Sequence, residues 1–70
     1  MIIVNVDYDN SFFTIHAAEE DAIYRLKNKY PDVTDISTYT CKIGESDIKR
    51  FDSDGGIYVG RATGHILNEK

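Results

Sequence analysis

The side chains of this chain with nucleophilic or soft metal-binding chemistry are one thiol, Cys41, and two imidazoles, His16 and His65. A nucleophile needs a base within hydrogen-bond reach, and the base needs a group to orient it. No motif flanks any of the three. Cys41 alternates with Tyr39 and Ile43, so it reads as a small hydrophobe pointing into the core. His16 and His65 read as surface or hydrogen-bonded structural groups. One Cys and two His do not supply the paired-ligand spacing of a structural zinc site. No catalytic residue, metal or cofactor is therefore expected. A single cysteine excludes a disulfide within the chain, and a lone thiol fits a reducing compartment.

Two glycine-containing stretches invite a binding reading. Asp52-Ser53-Asp54-Gly55 resembles the opening of a calcium loop. The glycine arrives too early, and the Glu that closes such a loop would fall at Thr63. A turn accounts for these residues better, since Asp and Ser bond to nearby backbone and Gly accepts positive φ. Gly55-Gly56, Gly60 and Gly64, with Arg61, suggest a phosphate cradle. Their spacing matches neither nucleotide-loop pattern, so they read as turn and close-approach positions.

Lys42, Lys49, Arg50 and Arg61 form a sparse basic set, accompanied by five tyrosines and three phenylalanines along the chain. Aromatic residues on a sheet beside basic ones are the form of single-strand nucleic-acid platforms. Charge argues the other way. Net charge is −4. The residues up to Ile36 hold seven acids against three bases, while the remainder balance at five each. A chain built to grip phosphates usually runs basic.

Seventy residues make one domain, 1–70. A chain this short buries only about 60% of the surface its unfolded form exposes. It has little room for both a core and a deep pocket, which makes an enzyme the least expected class. Its start lacks the basic region and unbroken apolar run of a signal peptide. No apolar run approaches a membrane span. A soluble, cytoplasmic protein is expected.

The elements that would position these groups follow from periodicity. Ile2, Val4, Val6 and Tyr8 alternate with Ile3, Asn5 and Asp7, which predicts a strand. Asp9-Asn10-Ser11 is turn chemistry, and Phe12 to His16 reads as a second strand closing a hairpin. Ala18, Ala22, Ile23, Leu26 and Tyr30 share a face of a helix over about 17–30. Glu19, Glu20 and Asp21 fall in its first turn and Lys27 and Lys29 in its last, as the dipole favours. Pro31 stops it. Asp35 to Ile43 predicts a half-buried strand. Ser46 to Asp52 fits a short helix or a strand, with the strand favoured by the Asp-Gly-Gly turn after it. Ile57 to Ala62 is a further strand, and His65 to Leu67 extends it after a kink at Gly64. The expected fold is α+β: a small antiparallel sheet of four to five strands, ββαββ-like, with one helix packed on one face.

One helix covers one sheet face, and Ile2, Val4, Val6, Ile15, Cys41 and Ile43 suffice for it. Strand parity then places Ile3, Phe12 and Tyr58 on the opposite face. Large apolar groups on an uncovered face mark an interaction surface. The expected function is a small non-catalytic interaction protein, an inhibitor or regulator of a larger protein partner, able to pair with itself as a homodimer. Phage- and plasmid-encoded regulators have this size and charge, an analogy and no more. The expected contact residues are Ile3, Phe12 and Tyr58, with Arg50 and Arg61. The alternative from a different class is a nucleotide or single-stranded nucleic-acid binding module using Arg50, Arg61, Lys49 and Tyr58.

Overall fold

The computed structural model describes residues 2–7, 10–47 and 55–67. Its elements run β1 (Ile2–Val6), α1 (Ile15–Lys29), β2 (Thr34–Glu45) and β3 (Gly56–Ile66). The sheet has three strands in the order β1-β3-β2. β3 is antiparallel to both neighbours, so β1 and β2 run parallel with β3 between them. Parallel strands need a crossover connection. α1 is that crossover, and it lies on one face of the sheet. The fold is therefore α+β with one helix on a three-stranded antiparallel sheet, in the order βαββ. The expected four to five strands and ββαββ order are not found among the described residues.

The second strand is where the order changes. Phe12 to His16 looked β-like because aromatic and β-branched residues are enriched in strands. Only Phe12 keeps that role, in an isolated bridge to Tyr58. Thr14 instead caps the helix. Its backbone is extended, and its hydroxyl oxygen accepts from the Ala17 N–H at 3.1 Å. That bond satisfies one of the orphan donors of the first turn. Ile15 and His16 are thus helical, and the first turn holds no acid. Glu19, Glu20 and Asp21 sit one turn later than expected. Asp21 still pairs with Arg25 at 2.9 Å. The other end is as expected: Lys27 and Lys29 occupy the last turn. Tyr30, held before Pro31, leaves helical geometry at φ −131° and ψ 83°.

The core is thin and unusually close-set. Ala18, Ala22 and Leu26, one turn apart, are the buried stripe of α1. They meet Val4 and Ala62, with Val6, Tyr30, Val33, Ile36 and Ile66 packed around them. Ile23 is half-buried beside this stripe and Ile15 is largely exposed, so neither is central. The helix rests on β3 where that strand presents Gly60, Ala62 and Gly64. A Cβ at Gly60 would stand 2.5 Å from the Ala18 carbonyl oxygen. A Cβ at Gly64 would collide with Val33. Gly64 therefore allows close approach within a continuous strand, and the expected kink is absent.

β2 and β3 form a long hairpin, with the Ser46 N–H donating to the Gly55 carbonyl at 2.8 Å. The segment 48–54 lies outside the described residues, so the expected helix or strand over 46–52 and its Asp-Gly-Gly turn fall largely there. β2 is interrupted at both ends. Its register shifts between Thr34 and Ser37, where Asp35 takes φ 54°, and again between Lys42 and Gly44. Asp is among the few side chains that enter this left-handed region readily.

Among the described residues, Leu26 is the one large side chain that is fully buried. Leu26→Ala should cost about 2–5 kcal/mol, measured by chemical denaturation. Gly60→Ala adds only a methyl group, but that group meets backbone. It should cost about 1–3 kcal/mol, and the helical circular dichroism should weaken with it.

Candidate functional site

Register assigns every strand residue to a face, because directly opposed residues point the same way and a shift of one reverses them all. Gly60, Ala62 and Gly64 face α1. Their partners on β1 and β2, Val6, Val4, Thr38 and Thr40, face it too. The other face carries Ile3 and Asn5 from β1, Ile57, Val59, Arg61, Thr63 and His65 from β3, and Ser37, Tyr39 and Cys41 from β2. No described element packs across it. Ile3 is 66% exposed and Tyr39 61%. Val59, flanked by Ile57 and Arg61 along its own strand and by Cys41 across, is buried.

Of the five residues expected to gather into a contact surface, the structure brings together two. Ile3 and Arg61 lie on the uncovered face. Tyr58 does not: it is buried on the helix side, where its ring reaches over Gly56. Phe12 goes with it. Each exchanges both backbone bonds with the other at 2.7 Å, and such a pair shares one face. The error arose because Phe12 joins β3 outside the regular β1 ladder, so counting from β1 could not reach it. Arg50 lies outside the described residues, as does Lys49.

The β2 parity is also reversed from expectation. Cys41 and Tyr39 face away from the helix, and Ile43 lies in the second bulge, 58% exposed. Threonines take the helix side instead. The Thr38 hydroxyl donates to the Glu19 carboxylate at 3.3 Å, which satisfies a polar group at the half-buried margin of the helix. A hydroxyl with a partner there is as acceptable as a hydrocarbon, so the count of apolar residues was a poor guide to facing.

The chemistry of the uncovered face is mixed. Arg61 Nη2 lies 2.8 Å from Asp7 Oδ1 across the β1–β3 boundary. Tyr39 opposes Arg61 from β2. Asn5, Thr63 and Ser37 form a neutral polar row. At the far end the His65 Nδ1 is buried without a hydrogen bond, 3.5 Å from Asp35 Oδ2. Cys41 and His65 cannot cooperate as nucleophile and base. Cys41 opposes Val59, and six strand residues separate Val59 from His65, roughly 20 Å. Among the described residues no three His, Cys, Asp or Glu side chains group as a metal site. A cleft of about 420 Å³ lies elsewhere, between the end of α1 and the end of β3. Tyr30, Pro31, Ile66 and Leu67 line it, with Lys29 and Asp32. No described helix is long and apolar enough to cross a membrane. Comparison with family models, curated proteins and solved structures gives no match.

The Asp7–Arg61 pair is solvent-accessible on both sides, at 68% and 45% side-chain exposure. Such pairs contribute little to folding. In a double-mutant cycle of Asp7→Ala and Arg61→Ala, the coupling read from denaturation should be below about 1 kcal/mol. A larger value would mean that the pair organises the β1–β3 boundary.

Proposed function

We propose that this chain is a non-catalytic interaction protein that occupies a surface of a larger protein partner through its uncovered sheet face, and so regulates or blocks it. The observation that carries this reading is the one-sided sheet. The helix covers one face, while the other presents Ile3 and Tyr39, both largely exposed, on a domain with little surface to spare. Antiparallel sheets do tolerate one solvated face, but that face is then usually polar throughout. This face instead interleaves apolar groups with a charge pair and a neutral polar row. Mixed apolar and polar area of this kind is the composition of a non-obligate protein–protein contact.

Single-stranded nucleic acid fits the face less well. A stacking platform needs several exposed aromatics and a positive groove. Tyr58 is buried, Arg61 is held by Asp7, and Asp35 lies beside His65. Tyr39 is then the one strand tyrosine on the face among the described residues.

Ile3→Asp and Thr63→Arg each place a charge on the face without touching the helix side. Both should fold with unchanged helical circular dichroism and should lose the partner captured by wild type from lysate of the source organism. Tyr24→Asp, on the exposed side of α1, should keep it. Capture that survives both face variants would overturn this reading. Binding of a single-stranded oligonucleotide that collapses with added salt would favour the phosphate-gripping class instead.

A further inference from the structure

β2 is an edge strand, and its outer side has a definite hydrogen-bonding pattern. Tyr58 directs both its N–H and its C=O to Phe12, on the β1 side of β3. Backbone groups of successive strand residues point to alternate sides. Val59, Arg61 and Thr63 therefore direct theirs toward β2, where they meet Cys41, Tyr39 and Ser37. It follows that Thr38 and Thr40 turn their N–H and C=O outward, away from the sheet.

Natural edges are blunted by charge, proline, bulges or short length. β1 is short, at five residues. β2 has bulges at its two ends, but between them the run Ser37-Thr38-Tyr39-Thr40-Cys41 keeps unbroken register and contains neither charge nor proline. These residues favour strands. This window is a template for one more strand.

We propose that the outer edge of β2 pairs antiparallel with β2 of a second copy, about a two-fold axis through Tyr39. This names one partner for the interaction protein argued above and rests on that reading. Four features select a second copy and this register. A two-fold axis perpendicular to the sheet keeps both helices on one side only if opposed residues share parity, so the axis passes through a residue. Centring on Tyr39 opposes Thr38 to Thr40 of the second copy and the reverse, so all four outward-pointing residues exchange backbone bonds. It also opposes the two Tyr39 rings at a non-hydrogen-bonded position, where side chains come closest. No like charges face each other: Lys42 meets Ile36, and Asp35 meets Ile43. The product is a continuous six-stranded sheet with two helices on one face and a doubled open face on the other.

Disulfide trapping reads the register directly. Non-hydrogen-bonded antiparallel pairs have Cα atoms about 4.5 Å apart, within disulfide range. In a Cys41→Ser background, Tyr39→Cys should oxidise to a covalent dimer, and Ser37→Cys should form no cross-link. With Cys41 restored, Ser37→Cys should cross-link, because the two positions oppose each other. Wild type should sediment at twice its own mass. Thr40→Pro removes an outward N–H, which an edge strand tolerates, and should sediment as a folded monomer. If that variant unfolds, the trapping series decides alone. A wild-type monomer at every concentration, absence of the Tyr39→Cys cross-link, or a dimer that persists in folded Thr40→Pro overturns the proposal. Partner capture separates the two readings. Folded Thr40→Pro that still captures the partner leaves the face reading standing without the dimer. Ile3→Asp and Thr63→Arg that dimerise and still capture the partner overturn the face reading and leave the dimer standing.

Discussion

The close seat of α1 on β3 is the constraint on which the rest of this structure depends. Gly60 has no room for a side chain beneath the Ala18 carbonyl, and Ala22 stands beside it. Small residues on both elements let the backbones approach, so dispersion contacts between main-chain atoms replace much of what large side chains supply elsewhere. That choice has consequences. Among the described residues the core contains a single fully buried large side chain, Leu26. The helix can occupy only one place, because moving it along β3 would set Ala18 over Ala62 or Tyr58 rather than over a glycine. With its axis settled, β1 and β2 fall on either side of β3, and the crossover through α1 makes them parallel.

A core of this kind uses up one sheet face, and no described element covers the other. Apolar residues then have two destinations in the chain. Val4, Val6, Ala62 and Ile66 go to the helix. Ile3, Ile57, Val59, Tyr39 and Cys41 go to the opposite face. The second set is too large for the polar face of an ordinary one-sided sheet, yet too interrupted by Arg61, Thr63 and Asn5 to act as a second core. Partial burial is the outcome. Val59 is shielded by its neighbours, whereas Ile3 and Tyr39 at the flanks are not.

Much of this was legible in the sequence, and the failures have specific causes. The β1 alternation, the helical stripe Ala18–Ala22–Leu26, the stop at Pro31 and the existence of an uncovered face all follow from periodicity. Periodicity reports that residues alternate but not which phase faces the helix. On β2 the two phases were Tyr39 and Cys41 against Thr38 and Thr40. Hydrophobicity chose the wrong one, because the Thr38 hydroxyl has a carboxylate partner on α1. Thr14 is a readable signal: a capping side chain directly before a helix-forming run outweighs the strand propensity of Phe12 and Phe13. The placement of Tyr58 needed the Phe12 bridge, a non-local pairing that no local pattern encodes.

The thin core and the open edge are linked through stability. Folding leaves a small surplus between large opposing terms, and a domain of this length has little apolar area with which to generate it. Disulfide and metal staples are not supplied by a single cysteine and two separated histidines. Association is one further source of apolar burial. β2 offers backbone bonds at Thr38 and Thr40 and an aromatic at Tyr39 in the same short window. The edge and the open face meet along β2, at Tyr39 and Cys41. An assembly that extends the sheet through this edge therefore enlarges the contact face without altering the helix side. The packing that limits the core thus also fixes which residues lie along that edge and that face.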